Sequence, residues 1–272
     1  MTEIDTGTHD LLAQVDEGVA ILTMNRPERR NAFSTEMVHA LARVLGDVQG
    51  DDDIGAVVLT GAGGAFCSGG DVKMMVAQDA LFGPVSYDEG VRLQRRNQRE
   101  TSGRLWSMPK PTIAMIPGPA AGAGFALALS CDLRYVADTA VFTTAFARVG
   151  LPGDYGGTWF LSRLVGSAKA KELYYFSRLL TARDALDLGI VNAVYDADEL
   201  ELSVLELARE LANGPRVALR YMKENLSRAV HADLGDCLDL EVTHHHHAGT
   251  TEDHREAAQA FVAKRPPAFR GR

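Results

Sequence analysis

IPGPAAGAGFALALSCD, residues 116–132, carries almost no side chain able to do chemistry. It holds two prolines, three glycines and a run of alanines, and then turns apolar. PTIAMI (111–116), entered through Pro109 and Pro111, reads as a short strand leading into it, and a helix is expected from about Ala121 to Ser130. Strand, glycine-rich turn and helix together place backbone N–H groups at a helix N-terminus, with the positive end of the dipole behind them. Two explanations fit such a composition. Small residues allow close helix–strand packing, or the backbone itself is the reagent and small residues let a ligand reach it. GPAAGAG lacks the order of a dinucleotide fingerprint, and no Gly-Lys-Ser/Thr follows to make a P-loop.

Outward from this stretch the pattern recurs. GAVVLTG (55–61) reads as a buried strand, and GAGGAFCSGGD leads from it into a helix at KMM. Two facing turns of this kind can hold one oxygen with developing negative charge, an oxyanion hole. Leu12 to Met24 reads as a hairpin around Asp16-Glu17-Gly18. Ser34 stands as the N-cap of a helix whose Met37, Val38, Leu41, Val44, Leu45 and Val48 share one face. LRYVA and AVFTT are further short strands, and GIVNAVY is the last. TARDALDLG (181–189) has Thr181 as N-cap, Asp184 in the first turn and Gly189 just past the end. Helical patterns then cover 199–212, 215–229, 233–247 and 250–264. Short strands alternating with helices, then a helical tail, predict an α/β fold with an α-helical appendage.

The chain has 272 residues, 24% charged and 46% hydrophobic, which suits one large domain or one domain with an appendage. A net charge of −8 disfavours a nucleic-acid partner, although a local basic patch can still hold an anionic ligand. Cys67, Cys131 and Cys237 show no paired or metal-type spacing, which fits a reducing compartment. MTEIDTGTHDLL is acidic without an apolar core, and prolines 117 and 119 break the long uncharged stretch from Thr112 to Cys131. A cytoplasmic protein with no membrane span is expected.

Among the acids, Asp71 opens a helix and reads as a cap, and Asp132 as a tether for a turn. Asp154 differs. It lies in RVGLPGDYGGTW, flanked by glycines just before a helix, where a carboxylate with a raised pKa can shuttle a proton. The tract His244–His247 falls within a helix, so its members point in four directions and only His244 and His247 share a face. No catalytic metal site is expected there. Cys67 has no histidine close in sequence to activate it as a nucleophile.

NRPERRNAFS, AFCSGGDVKMM, GPAAGAGFALALSCDLRYVA, GLPGDYGGTWFLSRLVG and TARDALDLGIVNAVY occur in the order and spacing of the crotonase superfamily, and EAAQAFVAKRPPAF resembles its ending. The chain thus resembles the enoyl-CoA hydratase/isomerase group over about residues 10–270. The resemblance implies a spiral of β-β-α turns over residues 1–200 and a C-terminal helical region, 201–272, that makes homotrimers or dimers of trimers. It implies an acyl-CoA thioester substrate and no separate cofactor, since the substrate carries the coenzyme A. By matching position, the N–H groups of Cys67 and Ala123 would polarise the thioester carbonyl. The coenzyme A would lie along Ala65, Ser68, Gly69, Gly70, Asp71 and Val72, with Arg29, Arg30 and Ala32 nearby.

The chain departs from the family at the acids. Typical hydratases carry two glutamates, and their positions fall here at Ala126 and Phe146. Asp154 remains, in a context resembling the Δ3,Δ2-enoyl-CoA and epoxyphenylacetyl-CoA isomerases, where one acid suffices. An acyl-CoA isomerase working through an enolate is the leading expectation. An enoyl-CoA hydratase using Asp154, or a CoA-ester-binding protein with little catalysis, are the alternatives.

Overall fold

Leu11–Asp16 and Val19–Met24 pair antiparallel around Glu17 and Gly18, whose φ angles of 48° and 80° give the twist a short hairpin needs. The computed structural model describes residues 1–76 and 85–272, except the side chains at positions 74 and 75. Among the described residues the hairpin belongs to a seven-stranded sheet, with Thr2–Glu3 antiparallel at the edge beside Leu11–Asp16 and, on the other side, Ala56–Gly61, Thr112–Ile116, Leu133–Ala137 and Ala193–Tyr195 continuing in parallel.

All of the parallel strands but the last, Ala193–Tyr195, are followed by a second, shorter extended segment and then by a helix. Val19–Met24 leads to Phe33 and the helix Thr35–Gly50; Thr112–Ile116 leads to Ala120–Ala121 and the helix Gly122–Leu129. Leu133–Ala137 leads to Val141–Thr143 and, after a longer loop, the helix Gly157–Phe176. The short segments form their own ladder through the pairs Phe33–Gly70, Cys67–Ala120, Ala120–Phe142 and Phe142–Leu180. This is the expected spiral of β-β-α turns. Its second ladder brings the glycine-rich turns of successive repeats side by side.

The sheet is apolar on both faces, which is why its strands read as unbroken hydrophobic runs. Ala20, Leu22, Val57, Leu59, Ala114 and Ile116 enter the main core, whereas Val19, Ile21, Ala56, Val58, Ile113 and Met115 face Leu200, Val204 and Ala208. The alternation follows the two-residue period of a strand. The helix carrying Leu200, Val204 and Ala208, Leu200–Ala212, starts at the expected 200/201 division yet packs on the sheet. Thr35–Gly50 buries the expected face, and Ser34 Oγ accepts from Met37 N–H at 3.1 Å, a cap worth about 1 kcal/mol.

Beyond the sheet, the helices Arg216–Ala229, Leu234–Gly249 and Glu252–Ala263 follow the predicted tail closely. Lys223 anchors them: its Nζ lies 2.7 Å from the Asp132 carboxylate and donates to Leu105 O and Lys110 O. Asp132 also accepts from Thr112 N–H, so it ties a turn as expected. His244 Nδ1 meets Asn225 Oδ1 at 2.6 Å, and the His247 ring meets Tyr221 OH at 2.7 Å. These two histidines clamp one helix to the next, and no three His, Cys, Asp or Glu side chains converge on a metal-sized site among the described residues.

Two readings need correction. GIVNAVY forms a strand only over Ala193–Tyr195, because Gly189 turns left-handed (φ 70°) and Ile190 N–H bonds back to Ala185 O, closing the preceding helix. Tyr87–Gln98 is a helix the sequence pattern missed, continuing through a π-turn at Arg99–Gly103 into Arg104–Ser107. YDEGVRLQRRNQ has too few apolar residues to show a helical period. Among the described residues no helix is long and apolar enough to cross a membrane.

Candidate active site

The two glycine-rich turns meet along the second ladder. Ala121 N–H donates to Cys67 O at 2.9 Å, and Gly124 lies so close to Cys67 that an added Cβ would stand 2.7 Å from its Sγ. Gly69 reaches across the join. A Cβ there would sit 3.0 Å from Ala123 N and 2.7 Å from Ala121 O, so only glycine leaves these groups uncovered. Ala123 is the second residue of Gly122–Leu129, and N–H groups in a first turn have no acceptor within their own helix. Cys67 N–H has a long bond, 3.3 Å, to Pro119 O, a carbonyl that Phe66 N–H also approaches at 3.1 Å. The Ala123 N–H thus stands beside Gly69, two residues after Cys67 on the neighbouring turn.

The Cys67 thiol belongs to the core. It is fully buried, lies 3.0 Å from Asn31 O, and burial pushes its pKa up to about 12. A thiol held protonated in this way is a poor nucleophile.

The segment holding Arg29, Arg30 and Ala32 packs along 65–70. Ser68 N–H donates to Arg30 O at 2.9 Å, Ser68 Oγ to Arg29 O, and Phe33 N–H to Gly69 O. Arg29 and Arg30 are exposed, Ala32 and Ala65 are buried, and Val72 is exposed. Asp71 turns inward: its carboxylate accepts from Lys73 N–H and pairs with Arg26 at 3.6 Å. Asn31, absent from the sequence expectations, locks the arrangement. It is fully buried in a left-handed conformation (φ 55°), and its amide donates to Ala62 O and Ala65 O. Its place after two arginines gave no signal for this clamp.

Asp154 lies in a strained loop, with Gly153, Tyr155 and Gly156 all at positive φ. The carboxylate is half-buried; Oδ1 is closed off from solvent and has no hydrogen-bond partner among the described residues. Oδ2 has a long contact, 3.5 Å, with Gln94 Nε2. Burial therefore dominates, raising the pKa from 3.8 to about 6. Gln98 Oε1, one turn after Gln94, accepts from Tyr155 N–H at 3.0 Å and holds the loop from the other side. Both glutamines lie on the unanticipated helix.

The two positions where the family's glutamates fall hold no acid: they are Ala126 and Phe146. The Phe146 ring stacks on Tyr174 with centroids 5.8 Å apart and planes 7° from parallel, and it approaches Gly122 at the helix start. Ala126 packs on Gly157, where an added Cβ would come within 2.9 Å of the alanine methyl. Burial raises the Tyr155 phenol, with Asp154 and Cys67 adding to the effect; Asp154 also bears on Tyr174. These couplings and contacts join the acid to the turns that carry the backbone donors. The assembly can do two things: hold an anionic oxygen on backbone N–H groups, and move one proton.

The chain matches the family model for enoyl-CoA hydratase/isomerase over residues 14–272. It is 40% identical to a 1,2-epoxyphenylacetyl-CoA isomerase from Escherichia coli strain K12, over 96% of this chain and 98% of that protein. It is 31% identical to a short-chain-enoyl-CoA hydratase from Clostridium acetobutylicum, over 94% of this chain and 96% of that one. A crystal structure of an enoyl-CoA hydratase from Polaromonas sp. JS666 superposes with a TM-score of 0.89 at 32% identity, covering 96% of this chain and 99% of that chain. Relatives named for both reactions match nearly the whole length, and the chain belongs to the enoyl-CoA hydratase/isomerase family, with a crotonase-like fold.

Proposed function

We propose that the protein is an acyl-CoA isomerase that moves a proton through a thioester enolate, with Asp154 as its proton-carrying group. The observation that carries this reading is the half-buried acid with an unpartnered oxygen: Asp154 is raised to about 6, while Ala126 and the stacked Phe146 offer nothing that could place or activate water. A base with a pKa near the working pH is suited to proton transfer, which contributes about 10²–10⁴ in rate.

The thioester oxygen is held between Cys67 N–H and Ala123 N–H. Cys67 exchanges its long bond to Pro119 O for the developing oxyanion, where each donor is worth roughly 2.7–4 kcal/mol. Asp154 then takes a proton from C2 of a 3-enoyl thioester. The resulting dienolate keeps its charge on the oxygen, and the proton returns at C4, leaving the double bond at C2. Coenzyme A runs along 65–72, with Arg29 and Arg30 exposed beside it to meet its phosphates. No cofactor beyond the coenzyme A of the substrate enters the scheme. The similarity to a 1,2-epoxyphenylacetyl-CoA isomerase supports the same reading.

Assembly as a trimer or dimer of trimers belongs to this proposal. Leu234, Leu238 and Val242, at helical spacing, are 73%, 54% and 55% exposed in the single chain. The test of function is a pair of assays on the pure protein. Isomerisation of a 3-enoyl-CoA with little hydration of crotonyl-CoA is expected; fast hydration of crotonyl-CoA would overturn the reading in favour of a hydratase.

A further inference from the structure

Gln94 and Gln98 stand four residues apart on Tyr87–Gln98, so their side chains leave the same face of the helix, and both reach the loop that carries the acid. Gln94 Nε2 contacts Asp154 Oδ2 at 3.5 Å, while Gln98 Oε1 accepts from Tyr155 N–H at 3.0 Å. The second bond is the tighter. Tyr155 is 1% exposed, and among the described residues its N–H has no other acceptor. A buried N–H left unmatched costs stability, so the loop is held to this glutamine. The loop also needs the tie for its shape. Gly153, Tyr155 and Gly156 all stand at positive φ, and strained conformations persist only where the surroundings fix them.

The helix that supplies the tie is itself braced. Directly after Gln98 the chain makes the π-turn Arg99–Gly103, a feature frequent at functional sites. Thr101 Oγ1 donates to Asn97 O at 2.6 Å and Ser102 Oγ to Gln98 O at 3.0 Å, so these carbonyls at the wider turn have partners. Both hydroxyl residues are buried, and the turn lies against Thr35–Gly50 and Gly122–Leu129. Gly122–Leu129 is the helix whose first turn carries Ala123. One continuous element therefore meets both parts of the site: its π-turn touches the helix with the backbone donor, and its glutamines touch the loop of the acid. Charge favours glutamine here. Glutamate would accept the same N–H but set a second negative charge beside Asp154, and methionine would fill the space with no acceptor.

We propose that Gln98 is a positioning residue for the proton transfer: by accepting from Tyr155 N–H it fixes the Asp154 carboxylate relative to the backbone donors of the thioester oxygen. This rests on the reading of Asp154 as the proton-carrying group and adds a residue that acts on the acid through its loop. A misplacement of about 1 Å can lower a rate by about 10².

The experiment follows deuterium exchange at the carbon next to the thioester of an acyl-CoA with acidic C–H bonds, in wild type, Gln98→Met, Gln98→Glu and Asp154→Asn. Binding of butyryl-CoA is measured in parallel. Gln98→Met should lose about 10² in the kcat of exchange, with KM within about threefold of wild type. Gln98→Glu keeps the acceptor and should recover most of that rate at pH 8. Its pH–rate midpoint should lie above the wild-type one, because a second carboxylate disfavours ionisation of Asp154. A residue serving the fold alone would not move that midpoint. A loss of less than about tenfold in Gln98→Met, a loss that Gln98→Glu does not recover, or an unmoved midpoint would overturn the inference. A Gln98→Met protein that no longer binds butyryl-CoA would show that the residue supports the pocket as a whole, and would equally overturn it. Asp154→Asn separates this inference from the reading beneath it. If that variant exchanges as fast as wild type, or wild type does not exchange at all, both fall; if Asp154→Asn is slow while Gln98→Met is fast, only the positioning role falls.

Discussion

Asp154→Asn removes a charge whose burial the native state sustains at a cost, and that cost sets a measurable stability difference. The folded carboxyl titrates at about 6 rather than 3.8, and burial is the cause. A difference of that size corresponds to about 3 kcal/mol between the protonation states. The sign follows from proton uptake. Between pH 4 and 6 the folded state keeps a proton that the unfolded chain has lost, so stability falls as pH rises through this window. Below it, both states are protonated and the carboxyl is neutral, like the asparagine amide. At pH 8 the variant should therefore be more stable than wild type by about 3 kcal/mol, and the two should converge toward pH 4. For a chain of this length that is a rise of about 6–12 °C in apparent melting midpoint. The assay is thermal unfolding of both proteins at pH 4.5, 6 and 8. In parallel, wild-type kcat/KM should rise through about pH 6 as the base ionises, while the variant loses at least ~10² in kcat. A variant no more stable at pH 8 than at pH 4.5, relative to wild type, would refute the claim that burial raises this acid.

Three further outcomes follow from the same geometry. Gly69→Ala places a Cβ 2.7 Å from Ala121 O and 3.0 Å from Ala123 N at φ 83°, so kcat should fall by about 10² or more; near-normal turnover would show that no oxyanion binds there. Cys67→Ala should keep kcat within a few-fold, since the role proposed for Cys67 is its backbone N–H, which the substitution keeps, whereas a loss on the order of 10³ would make the sulfur the reagent. Sedimentation at micromolar concentration should give a trimer or hexamer, and a stable monomer would contradict the role given to Leu234, Leu238 and Val242.

How much of this could be read from the residues depends on how local each feature is. The hairpin turn at Glu17-Gly18, the Ser34 cap and the Thr181–Asp184 capping box need only neighbours in sequence, and all three form as expected. The α/β alternation was legible because apolar strands and glycine-rich turns leave marks in the sequence, whereas the spiral followed only from the resemblance to the crotonase superfamily. Helix Tyr87–Gln98 left none, since its polar sequence packs through Gln94 and Gln98 rather than an apolar stripe. Asp154 was singled out by its glycine context, but its burial is made by segments far along the chain, Gln94 being 60 residues away. Asn31 and Tyr155 were missed for the same reason: a left-handed backbone and a distant packing partner have no period to detect.

Asp154, in the proposed reaction, moves a carbon-bound proton of a thioester whose oxygen rests on backbone N–H groups. Solvent exchange tests it without requiring the natural acyl chain. Wild-type protein incubated with an acyl-CoA bearing acidic C–H bonds in deuterated water should incorporate deuterium at the carbon next to the thioester, as read by mass spectrometry. Asp154→Asn, with its oxyanion donors intact and its affinity for the thioester preserved, should incorporate it at least ~10² more slowly. Equal exchange by the two proteins would contradict Asp154 as the proton-carrying group.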